Sequence, residues 1–332
     1  MPIPLTSFGE SRRRVVFAAT GMSALGLASP ISAQTPFPNK PVRVIVPYGP
    51  GGGTDILIRM IAPAVGQSLG QSLVIENRPG AGSVLGTELV VRAPADGYTL
   101  LAVDSALLTN PGLRKLPFDT KKELAGVTMM ATAPVILVVH PSVPAKTLSE
   151  LLELARVKPG SLNYASGGNG ASTHLAGELM KIACGVDIAH IAYKGTGPAM
   201  TDLLAGHVQM QFAGISSVKP HVEAGRLRAI AVTGPKRNPA MSSVPTFVEQ
   251  GVQGVDADTW WGLYAPANTG ADLVTVLNDH FARALKSADL APKLAAGGFV
   301  PVAGTAAEHT AMMSAMIDRW AEVIAKAKIT AD

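Results

Sequence analysis

A run of glycines follows an apolar segment and precedes a helical pattern in the stretch VIVPYGPGGGTDILIRM, residues 44–60. A nucleotide-binding P-loop would place a lysine after the last glycine, but Gly53 is followed by Thr54 and Asp55. The G-x-G-x-x-G spacing of dinucleotide-binding loops is also absent from residues 49–55. The loop therefore predicts a set of backbone N–H groups at a helix N-terminus, which suits a small anion and specifies no reaction.

A second loop of the same kind lies in LNYASGGNGASTHLAGELM, residues 162–180. An apolar segment again enters small residues, and a helical pattern again leaves them, with Ser172 or Thr173 able to cap its first turn. If the two loops lie on lobes that face each other, their N–H groups favour a carboxylate between them, by about 0.3–1 kcal/mol per helix dipole plus the hydrogen bonds. The alternative is two ordinary turns between strand and helix. The match between the two loops favours the ligand site.

Two side chains of the first loop have more than one interpretation. Tyr48 could stack on the ligand or bind it through the hydroxyl, or could be a core residue with a solvated hydroxyl. Asp55 would compete with an anion, so we favour a role in capping its own helix, and contact with a water or with a ligand hydroxyl or amine is the alternative. The predicted ligand-binding residues are Tyr48, Gly51, Gly52, Gly53, Thr54, Asp55, Ser105, Ser166, Gly168, Asn169, Gly170, Ala171, Ser172 and Thr173.

The edge of the predicted cleft is expected at Lys194 and Ala213. Lys194 follows a predicted strand, at the end where α/β proteins usually bind their ligands. Its ammonium group could reach an anion, although a surface position is slightly favoured. Ala213 begins the turn AGISS after another predicted strand.

Side chains that could catalyse a reaction are poorly organised. Asp104, Ser105 and His174 could form a triad, but the chain contains no G-x-S-x-G motif, and a protein of this size offers such a trio by chance. The seven His show neither H-x-x-x-H nor H-E-x-x-H spacing, and a single Cys cannot build a thiolate site. We therefore predict no catalytic residue, no metal and no cofactor. An exported hydrolase that uses Ser105 or Ser166 is the enzyme alternative.

The elements that must position these loops alternate along the chain, which predicts an α/β fold with mainly parallel sheets. Capping boxes at Thr147 with Glu150 and at Thr305 with Glu308 predict two of the helices. The segments VILVV and TWWGLYAP predict two crossings between lobes, so that residues 34–137 with 260–332 form a discontinuous lobe 1 and residues 138–259 form lobe 2. The predicted strands are residues 42–47, 73–76, 98–103, 135–140, 162–166, 188–193, 208–212 and 227–233.

The first residues carry the pattern of an export signal. Arg12, Arg13 and Arg14 precede an apolar run, and SPISA at residues 29–33 supplies small residues for cleavage. This predicts a signal peptide over residues 1–33 and a periplasmic location, with the twin-arginine route left open by the arginine run. Removing its three Arg and one Glu lowers the formal charge from +4 to +2, which argues against a nucleic-acid partner.

Several segments, taken together and in this order, resemble the Bug family, the TctC-like periplasmic substrate-binding components of tripartite tricarboxylate transporters. They are FPNKPVRVIVPYGPGGGTDILIRMIA, VIENRPGAGSVLGTELVVRAPADGYTLL, LNYASGGNGASTHLAGELM, HIAYKGTGPAMTDLLAGHV, VEAGRLRAIAVTG and TWWGLYAPANTG. The resemblance covers essentially the whole chain after residue 33. It implies a type II-like Venus-flytrap protein without catalysis, which holds a small carboxylate between its lobes. Residues 48–55 match the family's first-lobe carboxylate clamp, and residues 166–173 match its second-lobe clamp.

The sequence departs from that family pattern in several places, among them Gln209 and Gln211, where an acidic residue is often found. Ser83 replaces an expected glycine, and VDSALLTNPGL lacks the His expected before NP. The last of these departures lies near the cleft if residues 104–110 face it, so the contacts of the ligand's far end are not predicted. The combined prediction is an exported, monomeric receptor that delivers a small organic carboxylate to integral membrane permease subunits. A receptor that signals to a membrane sensor kinase is an alternative that the sequence does not separate.

Overall fold

The computed structural model describes residues 37–330, and the predicted signal peptide lies outside them. The strands are β1 (Val42–Val46), β2 (Leu73–Asn77), β3 (Thr99–Val103), β4 (Leu124–Ala133), β5 (Val135–Val139), β6 (Asn163–Ser166), β7 (Ala189–Ala192), β8 (Met210–Gly214), β9 (Arg228–Val232), β10 (Thr259–Pro266) and β11 (Val300–Pro301). The helices are α1 (Gly53–Leu69), α2 (Val84–Val91), α3 (Ala106–Leu113), α4 (Thr120–Glu123), α5 (Leu148–Val157), α6 (Ser172–Cys184), α7 (Thr196–Leu204), α8 (Ile215–Glu223), α9 (Ala271–Leu285), α10 (Ala291–Ala296) and α11 (Ala306–Ala327).

These strands form two sheets, with the orders β11-β4-β10-β3-β1-β2 and β7-β6-β8-β5-β9. In the first sheet β1 is parallel to β2 and β3, whereas β10 is antiparallel to β3 and β4. In the second sheet β6 is parallel to β7 and β8, whereas β5 is antiparallel to β8 and β9. The prediction of an α/β fold is confirmed, but the sheets are mixed and not mainly parallel.

β10 and β5, which run opposite to both of their neighbours, each lie next to a point where the chain passes between the sheets. β1 and β3 end where the two sheets meet, just before Tyr48 and Asp104. β10 starts at that same place, because it follows the long segment that builds the second sheet, and it therefore runs in the opposite direction. The other passage is the single residue Pro134, between β4 and β5. Residues 135–137, predicted in lobe 1, thus pair within the second sheet as part of β5.

All eight predicted strands occur, with their ends shifted by a few residues. β4 was missed, although it is 10 residues long and pairs with β10 along most of its length. Its sequence, LAGVTMMATA, is rich in Ala, Gly and Met, which have weak strand preference, and its burial on both faces removes the alternating pattern. Tertiary burial, not local preference, decides this strand.

The predicted helix starts are present, with one difference. At α11, Thr305 and Glu308 form the complete capping box. At α5, the Thr147 side chain accepts from Glu150 N, but the Glu150 carboxylate accepts from Lys146 N at 2.6 Å and not from Thr147 N. Among residues 37–330, no helix combines the length and apolar character needed to cross a bilayer.

Helix α1 is held against the first sheet by an apolar stripe. Leu57, Ile58, Ile61 and Val65 are fully buried, at the spacing of one helix face. The helix closes with Gly70 in the left-handed conformation, at φ 73°. This packing fixes the N-terminus of α1 at the end of β1, where the two sheets meet.

Candidate ligand-binding site

The N-termini of four helices meet at one small cavity between the two sheets. Gly52, Gly195 and Gly214 immediately precede α1, α7 and α8, Ser172 begins α6, and all four residues line the cavity. None of these four helices has a hydrogen bond from an N-cap side chain. The first N–H groups of a helix have no partner within it, and the helix dipole adds partial positive charge there. The positive ends of these helices therefore make the cavity chemically suited to an anion.

The rest of the cavity wall is mostly small and polar. Its volume is about 20 Å³, which is room for about one water molecule. Pockets for small organic ligands usually measure about 300–1,000 Å³. Any organic ligand therefore requires the two sides to separate. The other lining residues are Tyr48, Gly53, Thr54, Asp104, Gly167, Thr173, Thr196, Thr259 and Trp261.

The two sides touch directly through hydrogen bonds whose acceptors are main-chain carbonyl groups. Gly49 N donates to Lys194 O at 2.7 Å, and the Ser217 hydroxyl donates to Gly51 O at 3.4 Å. The Thr109 hydroxyl donates to Gly170 O. These bonds join the loops of the first sheet to the loops and helices of the second.

Asp104 is the one acidic residue in the cavity wall. Its Oδ1 accepts from the Tyr48 hydroxyl at 2.5 Å and from Ala106 N, at the start of α3, at 2.9 Å. Burial raises the pKa of Asp104 above its ordinary value, because the charged form loses its hydration. Burial also raises the pKa of Tyr48, and the neighbouring Asp104 charge adds to that increase. Tyr48 therefore stays protonated and acts as the donor.

Asp55 lies outside the cavity wall, and its oxygens are already occupied. They accept from Gly51 N at 3.0 Å, from Arg59 Nε at 2.9 Å and from Asn77 Nδ2 at 3.0 Å. Asp55 thus accepts a hydrogen bond from the loop before α1. Contrary to the prediction from the sequence, it does not cap the N–H groups in the first turn of α1. The positive end of α1 consequently remains available to a ligand.

Comparison with known proteins identifies the family. The model of the tripartite tricarboxylate transporter family receptor, TctC, matches residues 57–329. The chain belongs to this family. It is 36% identical to protein BugT of Bordetella pertussis over 312 residues, which is 93% of this chain and 94% of BugT.

Two solved structures of similar proteins contain carboxylates. One is an R. palustris protein with adipate, with a TM-score of 0.85, 34% identity, and coverage of 89% of this chain and 99% of that one. The other is MatC from Rhodopseudomonas palustris with bound malate, with a TM-score of 0.81, 30% identity, and coverage of 87% of this chain and 100% of that one. The predicted family and the predicted two-lobed periplasmic binding fold are confirmed.

The residues predicted to bind ligand in this TctC-family receptor occupy three kinds of position. Those in the cavity wall are Tyr48, Gly52, Gly53, Thr54, Ser172 and Thr173. A second space adjoins this cavity, and Tyr48 lines both. The predicted residues that line only the second space are Gly168, Asn169 and Lys194. Those that line neither space are Gly51, Asp55, Ser105, Ser166, Gly170, Ala171 and Ala213.

The two serines considered as nucleophiles, Ser105 and Ser166, both form hydrogen bonds to other residues of this receptor. The Ser105 hydroxyl accepts from Trp260 N at 2.9 Å, and this bond ties the end of β3 to the start of β10. Ser166 Oγ lies 2.6 Å from His190 Nε2, a pairing that the sequence did not suggest. Ser166 is fully buried and lines neither space. Among residues 37–330, no cluster of three metal-binding side chains occurs.

Sequence reasoning missed several residues of the receptor's cavity wall. Trp261 Nε1 donates to Thr54 Oγ1 at 3.1 Å, so the aromatic strand β10 supplies one wall. Gly195 and Gly214 are neighbours of the predicted edge residues Lys194 and Ala213, and each follows a strand and precedes a helix, the same pattern as in the two glycine loops. They extend the predicted cleft edge to the starts of α7 and α8. The remaining missed residues are Asp104, Gly167, Thr196 and Thr259.

Proposed function

We propose that this protein is a periplasmic receptor that closes around a small organic carboxylate and presents it to a membrane permease. The observation that carries the proposal is the meeting of four helix N-termini at one cavity. The adipate and malate in the two related structures support a carboxylate as the anion.

Affinity would come from many donors around one carboxylate group. Each helix dipole contributes about 0.3–1 kcal/mol, and N–H bonds to an ionised oxygen are stronger than neutral ones. The hydroxyls of Thr54, Ser172 and Thr196 line the same cavity and add further donors. Since Trp261 is buried in the wall, closure would also exclude water from these bonds.

Binding would be coupled to movement of the two sides. The cavity is too small to admit an organic acid, and few chain segments join the sheets, among them Pro134 and the segment before Thr259. Rotation at these segments would open the cleft, and a bound carboxylate would favour the closed form because it contacts both sides. The closed form would then offer the permease a surface assembled from both lobes.

A thermal-shift panel on the purified protein tests the ligand class. The panel contains mono-, di- and tricarboxylates, amino acids, sugars and phosphate. A ligand at about 100 times its Kd stabilises the fold by about 2.7 kcal/mol, which raises the Tm measurably. We expect shifts confined to carboxylates. A response to sugars alone, or to none of the carboxylates, would contradict the proposal.

The permease step needs its own measurement. Membrane vesicles that contain the candidate permease should take up the identified carboxylate only when the loaded receptor is added. Uptake at the same rate without the receptor would contradict delivery, while leaving carboxylate binding intact.

A further inference from the structure

A second space, here called the side chamber, adjoins the cavity and shares Tyr48 and Gly167 with it. Its volume is about 260 Å³, far more than that of the cavity itself. The walls are segments from both sides, at residues 80–83, 167–169 and 192–194, together with Pro47, Tyr48 and Arg114. An elongated ligand whose first carboxylate lies at the four helix N-termini has room to continue here.

Arg114 has no partner for two of its guanidinium nitrogens. Nε and Nη2 are shielded from solvent and form no hydrogen bond, and Nη1 makes one long contact, 3.5 Å, to Ala81 O. Among residues 37–330, Arg114 forms no ion pair, and burial lowers the pKa of its guanidinium. The residue as a whole is half-buried, but N–H donors that are shielded from solvent without an acceptor are costly, so such donors normally have a partner.

The two unpartnered nitrogens are the pair that can bind one acid group side-on. Nε–H and Nη2–H point in parallel along one edge of the planar guanidinium, which matches the two oxygens of a carboxylate. The group is close to the chamber's wall, because a Cβ built on Gly82 would lie 3.6 Å from Nη2. Arg114 follows the NPGL segment, where the sequence departed from the family pattern and the far end of the ligand was not predicted.

We infer that Arg114 binds a second acid group of the ligand in the side chamber, so that the receptor selects dicarboxylates over monocarboxylates of the same chain length. This inference rests on the proposed carboxylate-binding function. Lys194 also lines the side chamber, but its side chain is exposed, which makes it the weaker anchor.

Isothermal titration of the purified protein with matched acids tests the inference. The probes are adipate and hexanoate, which have equal carbon number, with succinate, glutarate and pimelate added to find the preferred spacing. In the wild type, the best diacid should bind at least about 10-fold more tightly than hexanoate. Arg114→Gln should weaken that diacid by about 10- to 100-fold and change hexanoate binding by less than about threefold.

Two controls distinguish a specific contact between Arg114 and the ligand from a general effect of charge and from misfolding of the variant. Lys115→Gln removes the same charge from an exposed neighbour that does not line the side chamber, and should leave both affinities unchanged. The Tm of ligand-free Arg114→Gln should be no lower than that of the wild type, because the substitution removes two unpartnered N–H groups and a single long contact to Ala81 O.

The possible failures are distinguishable. Equal losses for adipate and hexanoate in Arg114→Gln, or no loss for either, would overturn the role of Arg114 while carboxylate binding stands. A selective diacid loss in Lys194→Gln but not in Arg114→Gln would assign the second acid group to Lys194 and overturn the inference. Absence of binding by every acid to the wild type would remove the proposed function as well.

Discussion

The Tyr48 hydroxyl donates a 2.5 Å hydrogen bond to Oδ1 of Asp104 in the wall of the cavity, between residues 56 positions apart in the chain. The bond joins the ends of the parallel strands β1 and β3. It also holds the one acidic side chain of the wall beside four positive helix ends. Ligand affinity should therefore depend on the charge of Asp104, and the stability of the fold should depend on pH through the same residue.

Replacing Asp104 by Asn should tighten carboxylate binding at neutral pH. The amide oxygen can still accept from Tyr48 and Ala106, whereas the negative charge facing the ligand is removed. For a like-charge repulsion of about 1 kcal/mol, the gain is about fivefold in Kd, measured by titration calorimetry. Asp289→Asn, at an exposed residue outside the cavity wall, is the matched control. Weaker binding in Asp104→Asn would instead mean that the ligand uses this charge, for example through an amine.

Asp104 should also make stability depend on pH. Its folded-state pKa is raised, so its contribution to stability is complete below the unfolded value of about 3.9 and is lost as pH rises through the folded value. The free energy of unfolding of the wild type minus that of Asp104→Asn should therefore fall as pH rises from about 4 toward 7. Denaturant unfolding of the ligand-free proteins measures it.

That subtraction removes the effects of other groups. Burial lowers the pKa of His309 to about 3, so His309 favours the folded state above about 6.5 and that contribution declines as pH falls below it. His309 is present in both proteins, and its contribution cancels. A difference that stays constant between pH 4 and 7 would show that Asp104 does not titrate with a raised pKa.

Gly52→Ala should weaken ligand binding without destabilising the ligand-free fold. The backbone at Gly52, with φ −81° and ψ 168°, accepts an alanine, but the new Cβ would lie 2.8 Å from Thr196 Oγ1 on the opposite side of the cleft. The overlap exists only when the sides are together, so it should cost about 1–3 kcal/mol of binding free energy. Titration calorimetry gives the affinity, and denaturant unfolding gives the stability.

Gly270→Ala is the control for that substitution. Gly270 is also the residue before a helix, with φ −54° and ψ 139°, and a Cβ there meets nothing within 4 Å. Its affinity should equal that of the wild type. If Gly52→Ala binds as tightly as Gly270→Ala, the contact between Gly52 and Thr196 is not part of the ligand-bound form.

Trp261→Phe should reduce three quantities: the stability of the fold, the affinity for the ligand and the fluorescence change on ligand binding. The substitution removes the indole donor to the Thr54 hydroxyl, a bond between two buried side chains, at a cost of about 1–3 kcal/mol in stability. The protein has three Trp, and Trp261 is the one in the cavity wall, so ligand binding should alter its emission. Trp260→Phe, at the half-buried neighbour, should retain the change. An unaltered signal in Trp261→Phe would place the ligand elsewhere.

Local patterns were sufficient for most elements and for the helix starts at the two glycine loops. Gly53 and Ser172 begin helices where the glycine turns predicted them, because a strand followed by flexible residues and a helical period is a local signal. The direction of β10 and the existence of β4 were not predictable in this way. Strand direction depends on where the chain re-enters a sheet, and burial on both faces removes the alternation by which a strand is recognised.

The amino-acid sequence by itself determined the family, the two glycine loops and the expectation of a bound anion, since these follow from short segments and their order. Only the tertiary structure decided that the N-termini of α7 and α8 reach the same cavity as those of α1 and α6, that Asp104 stands among them, and that Arg114 lines the side chamber with two of its nitrogens unpartnered. The physical reason is that these relations join residues from both sheets. Their proximity is set by sheet order and by the packing of one side on the other, which no local sequence pattern specifies.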